Sequence, residues 1–158
     1  TIRLFKNLDV HENVELALVT TGRTRKVAKQ TADQILEEVG LIDQKDRLAG
    51  ALTFAAQRRL ELARALALSP KFLLLDEPAA GLNEEETQEL LSLLRPLPSQ
   101  KNLGVLIIEH DMSLMMNLCN RLHVLNYGKT IAEGTPEEIR ENPEVVTAYL
   151  GGESTCEF

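Results

Sequence analysis

Cysteine is scarce in this sequence: Cys119 and Cys156 are the only two among 158 residues. Two thiols so spaced make neither a metal-ligand pattern nor a disulfide framework, and such sparing use fits a reducing, cytoplasmic compartment. Long apolar runs are missing too. None approaches the roughly 20 residues that span a bilayer, and no signal peptide is visible. Any tie to a membrane is therefore expected to run through a partner, with no direct insertion. Positive charge is in deficit, with 17 Lys+Arg against 24 Asp+Glu and a formal net charge of −7. That balance argues against nucleic acid as the main partner, because a phosphate backbone needs a cationic surface. The one basic cluster, Arg23, Arg25, Lys26 and Lys29, reads as a solvated helix face. The chain has no internal repeat and no low-complexity stretch. It starts at Thr1 rather than Met, which hints at a truncated beginning.

What is present is ordinary for a soluble globular protein, with 44% hydrophobic and 26% charged residues. The length suffices for one substantial core. Up to about residue 50 the pattern is helical. Asp9 with Glu12 three residues on is an N-cap ahead of an apolar run. A second helix is expected over residues 24–39, where Val27, Thr31, Ile35 and Val39, with Ala28, Ala32 and Leu36 alongside, form one buried stripe. Gly40 is its stop.

The texture then changes. Phe72-Leu73-Leu74-Leu75 and Val105-Leu106-Ile107-Ile108 are short continuous apolar runs, as in strands buried on both faces of a parallel sheet. Helices are expected over residues 55–68, closed by Ser69-Pro70, and after Asn83, whose capping partner is Glu86. The alternation supports βαβ units. Strands at 122–125 and 129–132 are expected to meet at a Tyr127-Gly128 turn. Thr135 before Pro136, and Asn142 before Pro143, each place a cap ahead of proline, so two short helices finish the chain.

The chemistry concentrates where the strands end. The stretch FLLLDEPAAGLN runs a buried strand into two carboxylates, Asp76 and Glu77, and then Pro78. In open parallel sheets ligands bind outside the carboxyl ends of strands. One acid there can hold Mg²⁺ through oxygen while its neighbour orients or deprotonates a water. A bare Asp-Glu pair would more simply begin a solvated loop. Four apolar strand residues before it, and a second strand of the same design, favour the site. That second strand ends in Glu109-His110-Asp111, and imidazole can contact a phosphate oxygen or an attacking water. His11, in a first helical turn, and His123, within a strand pattern, read as structural.

The order of these elements resembles an ABC-type ATPase over essentially all 158 residues. The resemblance implies an α/β, P-loop NTPase-like parallel sheet with a helical subdomain. It divides the chain into a helical, permease-facing part (1–55), an ATPase core (56–135) and C-terminal helices of the same domain (136–158). It makes Asp76 the Mg²⁺-binding acid, Glu77 the general base and His110 the switch histidine, with ATP as the nucleotide. Ala80, Gly81, Leu82 and Asn83 correspond to the D-loop. The stretches AAGLN, IIEHDMSLMM, VLNYGKTIAEGTPEEI and NPEVVTAYLGG are most similar to branched-chain amino-acid import ATPases of the LivG type.

Three departures stand beside it. No G-x-x-x-x-G-K-S/T loop occurs in the chain; that loop supplies the backbone N–H groups and lysine that cradle phosphates. The sheet is therefore expected to be incomplete, lacking the strand that leads into the loop. Ile2-Arg3-Leu4-Phe5 resembles the residues on the C-terminal side of the family's Q-loop glutamine. The chain is therefore expected to be an N-terminally truncated subunit starting just after that glutamine. Next, the signature Leu-Ser-Gly-Gly-Gln appears as Leu52-Thr53-Phe54-Ala55-Ala56, with Gln57 after it. Thr53 keeps the hydroxyl, whereas the methyl of Ala55 is expected to crowd a γ-phosphate at the helix N-terminus. Last, Asn83 replaces the usual aspartate, as in the LivG type.

With a central strand absent, the 105–108 strand should present an unpaired edge, or pair directly with the 122–125 strand. The implied partners are a second ATPase subunit, head to tail, and transmembrane permease subunits received by the helical segment starting at residues 2–8. Such an assembly lies on the cytoplasmic face of the cell membrane. Two other readings remain: a non-catalytic interaction module derived from such an ATPase, and an ATPase of an export or non-transport system.

Overall fold

The structure, a computed structural model, describes residues 4–150. Thr1, Ile2, Arg3 and Cys156 lie outside them, and so do the expectations placed there. The chain divides into two units, Thr1–Ile108 and Glu109–Phe158.

In the first unit, helix α1 (Val10–Thr20) begins with the capping box read from the sequence: Asp9 accepts from the Glu12 amide, and the Glu12 carboxylate accepts from the Asp9 amide. Helix α2 (Arg25–Glu38) comes next. It stops at Gly40, where the Gly40 amide donates to Glu37 and the Leu41 amide to Leu36, the paired bonds that absorb a helix's last carbonyls. Five of the seven residues of the expected stripe, Ala28, Ala32, Ile35, Leu36 and Val39, are buried. The departures are Thr31, which is half-buried, and Val27, which is 47% exposed at the edge of the stripe.

Helix α3 (Phe54–Ala67) packs on both α1 and α2. Val10, Val14, Leu18, Leu36, Leu41 and Leu60 are the buried centre of this three-helix layer. Burying each such side chain stabilises by about 1.5–3 kcal/mol. Among them, Asn13 is a fully buried polar residue.

Strand β1 (Phe72–Asp76) pairs in parallel with β2 (Gly104–Ile108), through helix α4 (Glu84–Leu94) and the short helix α5 (Leu97–Lys101). This is the βαβ connection expected of the apolar runs, and the mixed α/β class with a parallel sheet stands. Burial on both faces does not. Leu73 is buried, while Phe72, Leu74, Leu106 and Ile108 are 58–73% exposed. Among the described residues, only one face of the pair is covered, so exposure alternates along the strands.

In the second unit, α6 (Met112–Leu118) precedes β3 (Leu122–Asn126) and β4 (Lys129–Gly134). Tyr127 and Gly128, both at positive φ (46° and 76°), join them as a tight antiparallel hairpin. Helices α7 (Pro136–Glu141) and α8 (Pro143–Val145) start at the Thr135 and Asn142 caps. Leu122, Val124, Ala132, Ile139 and Val145 form the core, with Met112, Met115, Met116 and Cys119 against it. Direct pairing of the 105–108 and 122–125 strands is not observed: β2 pairs with β1, and β3 with β4.

Candidate functional site

β1 delivers Asp76 to its carboxyl end, opposite Ile108 of β2. The chain then leaves the strand sharply. The Glu77 amide still donates to the Ile108 carbonyl at 2.9 Å, although Glu77 has φ 45°, the left-handed region. A residue with a Cβ is disfavoured there by roughly 1–2 kcal/mol. Two turns come next, with the Ala80 amide donating to Glu77 (3.2 Å) and the Leu82 amide to Ala79 (3.1 Å). Asn83 then caps α4 through a reciprocal box with Glu86. The result is an exposed pair of acids on a tight connection, with Glu84, Glu85 and Glu86 in the next helical turn.

An acidic, exposed strand end suits a hard cation. No group of three His, Cys, Asp or Glu side chains among the described residues could hold a metal by itself.

The signature stretch forms the start of α3. Thr53 is its N-cap, accepting from the Ala56 amide at 3.3 Å, and the Gln57 side-chain amide donates to the Leu52 carbonyl at 3.1 Å. Ala55 and Ala56 are buried (6% and 1% exposed), whereas Thr53 and Phe54 face solvent. The Ala55 methyl is thus packed inside the unit.

Phe54 connects this stretch to the turn after β1. A Cβ built on Gly81, which has φ +82°, would lie 3.1 Å from the Phe54 ring. Thr53–Gln57 and the 80–83 turn are therefore neighbours. The guanidinium of Arg58 lies 5.1 Å from the Phe54 ring centroid, and its Nη1 is 3.3 Å from a Glu61 carboxylate oxygen. Sequence pattern does not single out Arg58 and Glu61. Their spacing from Phe54 along one helix face is the only local signal of them.

His110 belongs to the second unit, between β2 and α6. Its side chain is 75% exposed, and Nδ1 lies 3.8 Å from the carboxylate of Glu109, which is itself buried. Asp111 caps α6 by accepting from the Leu114 amide. His11 is buried in the first unit, and His123 is exposed on β3 with Nε2 2.8 Å from the Thr130 hydroxyl.

The helical layer also carries a groove between α1 and α3. Phe5, Leu16, Thr20, Glu61, Arg64 and Leu68 line this mostly apolar groove of about 520 Å³. The Arg64 guanidinium stacks 4.6 Å from the Phe5 ring centroid. No helix among the described residues is long and apolar enough to cross a membrane.

Comparison with known proteins agrees with this layout. A family model described as "ABC transporter" matches residues 1–80. A second, "Branched-chain amino acid ATP-binding cassette transporter", matches residues 129–155. The sequence is 44% identical to the high-affinity branched-chain amino acid transport ATP-binding protein BraF of Pseudomonas aeruginosa, over 95% of this chain and 65% of that protein. It is 42% identical to LivG of Escherichia coli with the same coverage. The chain thus spans 65% of the length of these curated relatives. Among solved structures, cbiO1 from Clostridium perfringens, part of the ABC transporter complex cbiONQ, superimposes with a TM-score of 0.81 at 28% identity, over 92% of this chain and 57% of that one.

Proposed function

We propose, for a chain that belongs to the ABC transporter family, that it serves as an ATP-hydrolysing subunit of an importer for branched-chain amino acids. The observation that carries the reading is the Asp76–Glu77 pair, held by a hydrogen bond from the Glu77 amide to the Ile108 carbonyl of β2, at the end of a parallel strand and near the Phe54–Gly81 contact. Asp76 is the acid that would hold Mg²⁺, which when bound neutralises charge on phosphate oxygens. Glu77 would act as the base for the attacking water. Its unfavourable backbone angle fits a group held in place by its surroundings for a task. His110, exposed at the start of the second unit, is assigned to the phosphate or water. Thr53 and the first amides of α3 present hydrogen-bond donors toward an anion.

Nothing among the 158 residues provides the lysine-bearing glycine loop. In this reading the phosphates are cradled by a loop those residues do not supply, and a second ATPase subunit meets this one head to tail. The groove over α1 and α3 receives a permease segment, which places the assembly on the cytoplasmic face of the membrane. The cargo is inferred from the BraF and LivG relatives. The helical, core and C-terminal divisions at residues 55 and 135 belong to the same proposal.

The test is Mg-ATP turnover by this chain mixed with a subunit that carries the loop, with and without Glu77→Gln. Hydrolysis that is lost in Glu77→Gln while nucleotide binding persists is the expected result. Undiminished turnover removes Glu77 as the base. A mixture that assembles without any turnover favours the second reading, a non-catalytic interaction module.

A further inference from the structure

One face of α3 links the groove to the turn after β1. At the turn, Gly81 has φ +82°, and the Phe54 ring edge occupies the space a side chain would need, with ring carbons 3.1, 3.6 and 3.9 Å from a Cβ built there. One helical turn on, Arg58 lies over the ring at 5.1 Å. Three residues further, Glu61 pairs with Arg58 at 3.3 Å. Glu61 also lines the groove. The Arg58 and Glu61 side chains are only 19% and 24% exposed, so their attraction is less screened by water than that of a surface pair.

The arginine has few polar partners among the described residues. Its buried Nε has no hydrogen-bond partner among the described residues. The ring and the Glu61 carboxylate are therefore the anchors that fix the guanidinium plane. A group entering the groove and engaging Glu61 would compete with Arg58, release the guanidinium, and loosen the ring that holds the turn.

We propose that Phe54 is a positioning residue for the 80–83 turn, and that Glu61 and Arg58 set its ring from the groove, so that filling the groove alters the turn. The proposal rests on the reading above only in treating that turn as nucleotide-facing. Its contacts and its test do not depend on hydrolysis.

Spatial continuity alone does not demonstrate coupling, so the test reads the turn directly. In amide NMR spectra of the 158-residue chain, Gly81 reports the aromatic ring beside it, while Gly22 and Gly128, with nothing near them, report intact folding. Phe54→Leu should move the Gly81 resonance, and Phe54→Tyr should restore most of the shift. Glu61→Gln should move Gly81 in the same direction by a smaller amount. If Glu61→Gln does not fold, Arg58→Lys asks the same question, since it keeps charge and loses the planar stack. An unmoved Gly81 in the Glu61 or Arg58 variant, with Gly22 and Gly128 at their original positions, overturns the relay. An unmoved Gly81 in Phe54→Leu overturns the positioning role. Expected shifts in a chain that supports no ATP turnover even with the loop-carrying subunit present would sink the hydrolytic reading and leave the relay standing.

Discussion

The side-chain amide of Asn13 and the backbone of Phe5 exchange two hydrogen bonds, each 3.0 Å long. The Asn13 Nδ2 group also donates to the Asp9 carbonyl at 2.8 Å and approaches that of Leu8 at 3.4 Å. Fully buried in α1, Asn13 thus stands in for a strand partner of the segment that precedes the helix, and it fixes Phe5 at the groove.

Asn13→Ala should therefore be costly. It strands several backbone groups at once, and one unsatisfied buried group costs about 1–3 kcal/mol. A loss of roughly 2–3 kcal/mol in a urea melt is expected, with greater solvent access to Phe5. A variant as stable as the parent would show that the segment is held by something other than Asn13.

A second prediction concerns Glu77. Because its φ of 45° is a glycine-like angle, Glu77→Gly should raise stability, whereas Glu77→Ala should not. The expected gain is up to about 1 kcal/mol, offset by glycine's greater freedom in the unfolded chain. Denaturant midpoints of the two variants decide it. Equal midpoints would mean the angle stores no strain. A gain in stability joined to loss of turnover is the pattern of a strained catalytic position.

Legibility from sequence tracks the range of the interaction. The caps at Asp9, Asn83 and Thr135 are readable because each depends on a partner three residues away. The strands are readable from composition, but their exposed face is not. Leu74 and Leu106 look the same in sequence whether or not a layer covers them. Helix α6 escapes the sequence reading although Asp111 and Leu114 carry its cap. The Phe54–Gly81 contact joins residues far apart in sequence, and no local pattern records it. The acids at the end of β1 are visible; the turn that aims them is not.

Gly104 and Phe72 should prove energetically coupled. They are register partners, and a Cβ at Gly104 would fall against the Phe72 ring, closer than atoms can approach. The exposed Phe72 ring can turn aside, so Gly104→Ala should cost about 0.5–1.5 kcal/mol, the range for a side chain driven off its rotamer. In Phe72→Ala the obstruction is gone, and Gly104→Ala should become nearly neutral. A double-mutant cycle measures the difference. Additive effects would mean that Gly104 is required for its backbone rather than for the ring.

Cys119 supplies a prediction in pH. Half-buried against the core of the second unit, its thiol is pushed above the ordinary value of 9.0 by burial, which disfavours the thiolate. The unfolded chain then releases this proton first as pH rises. The stabilisation is complete below the unfolded pKa and is lost as pH climbs through the higher folded one. In a Cys156→Ser background, native Cys119 should react with iodoacetamide several-fold more slowly than in urea at mildly alkaline pH. Its reaction rate should also keep rising at pH values where the unfolded thiol has levelled off. Equal rates would show an open thiol and would remove burial as the cause. Slow reaction with no displacement of the pH profile would instead assign the protection to steric access, with Met115 Sδ only 4.0 Å from the sulfur.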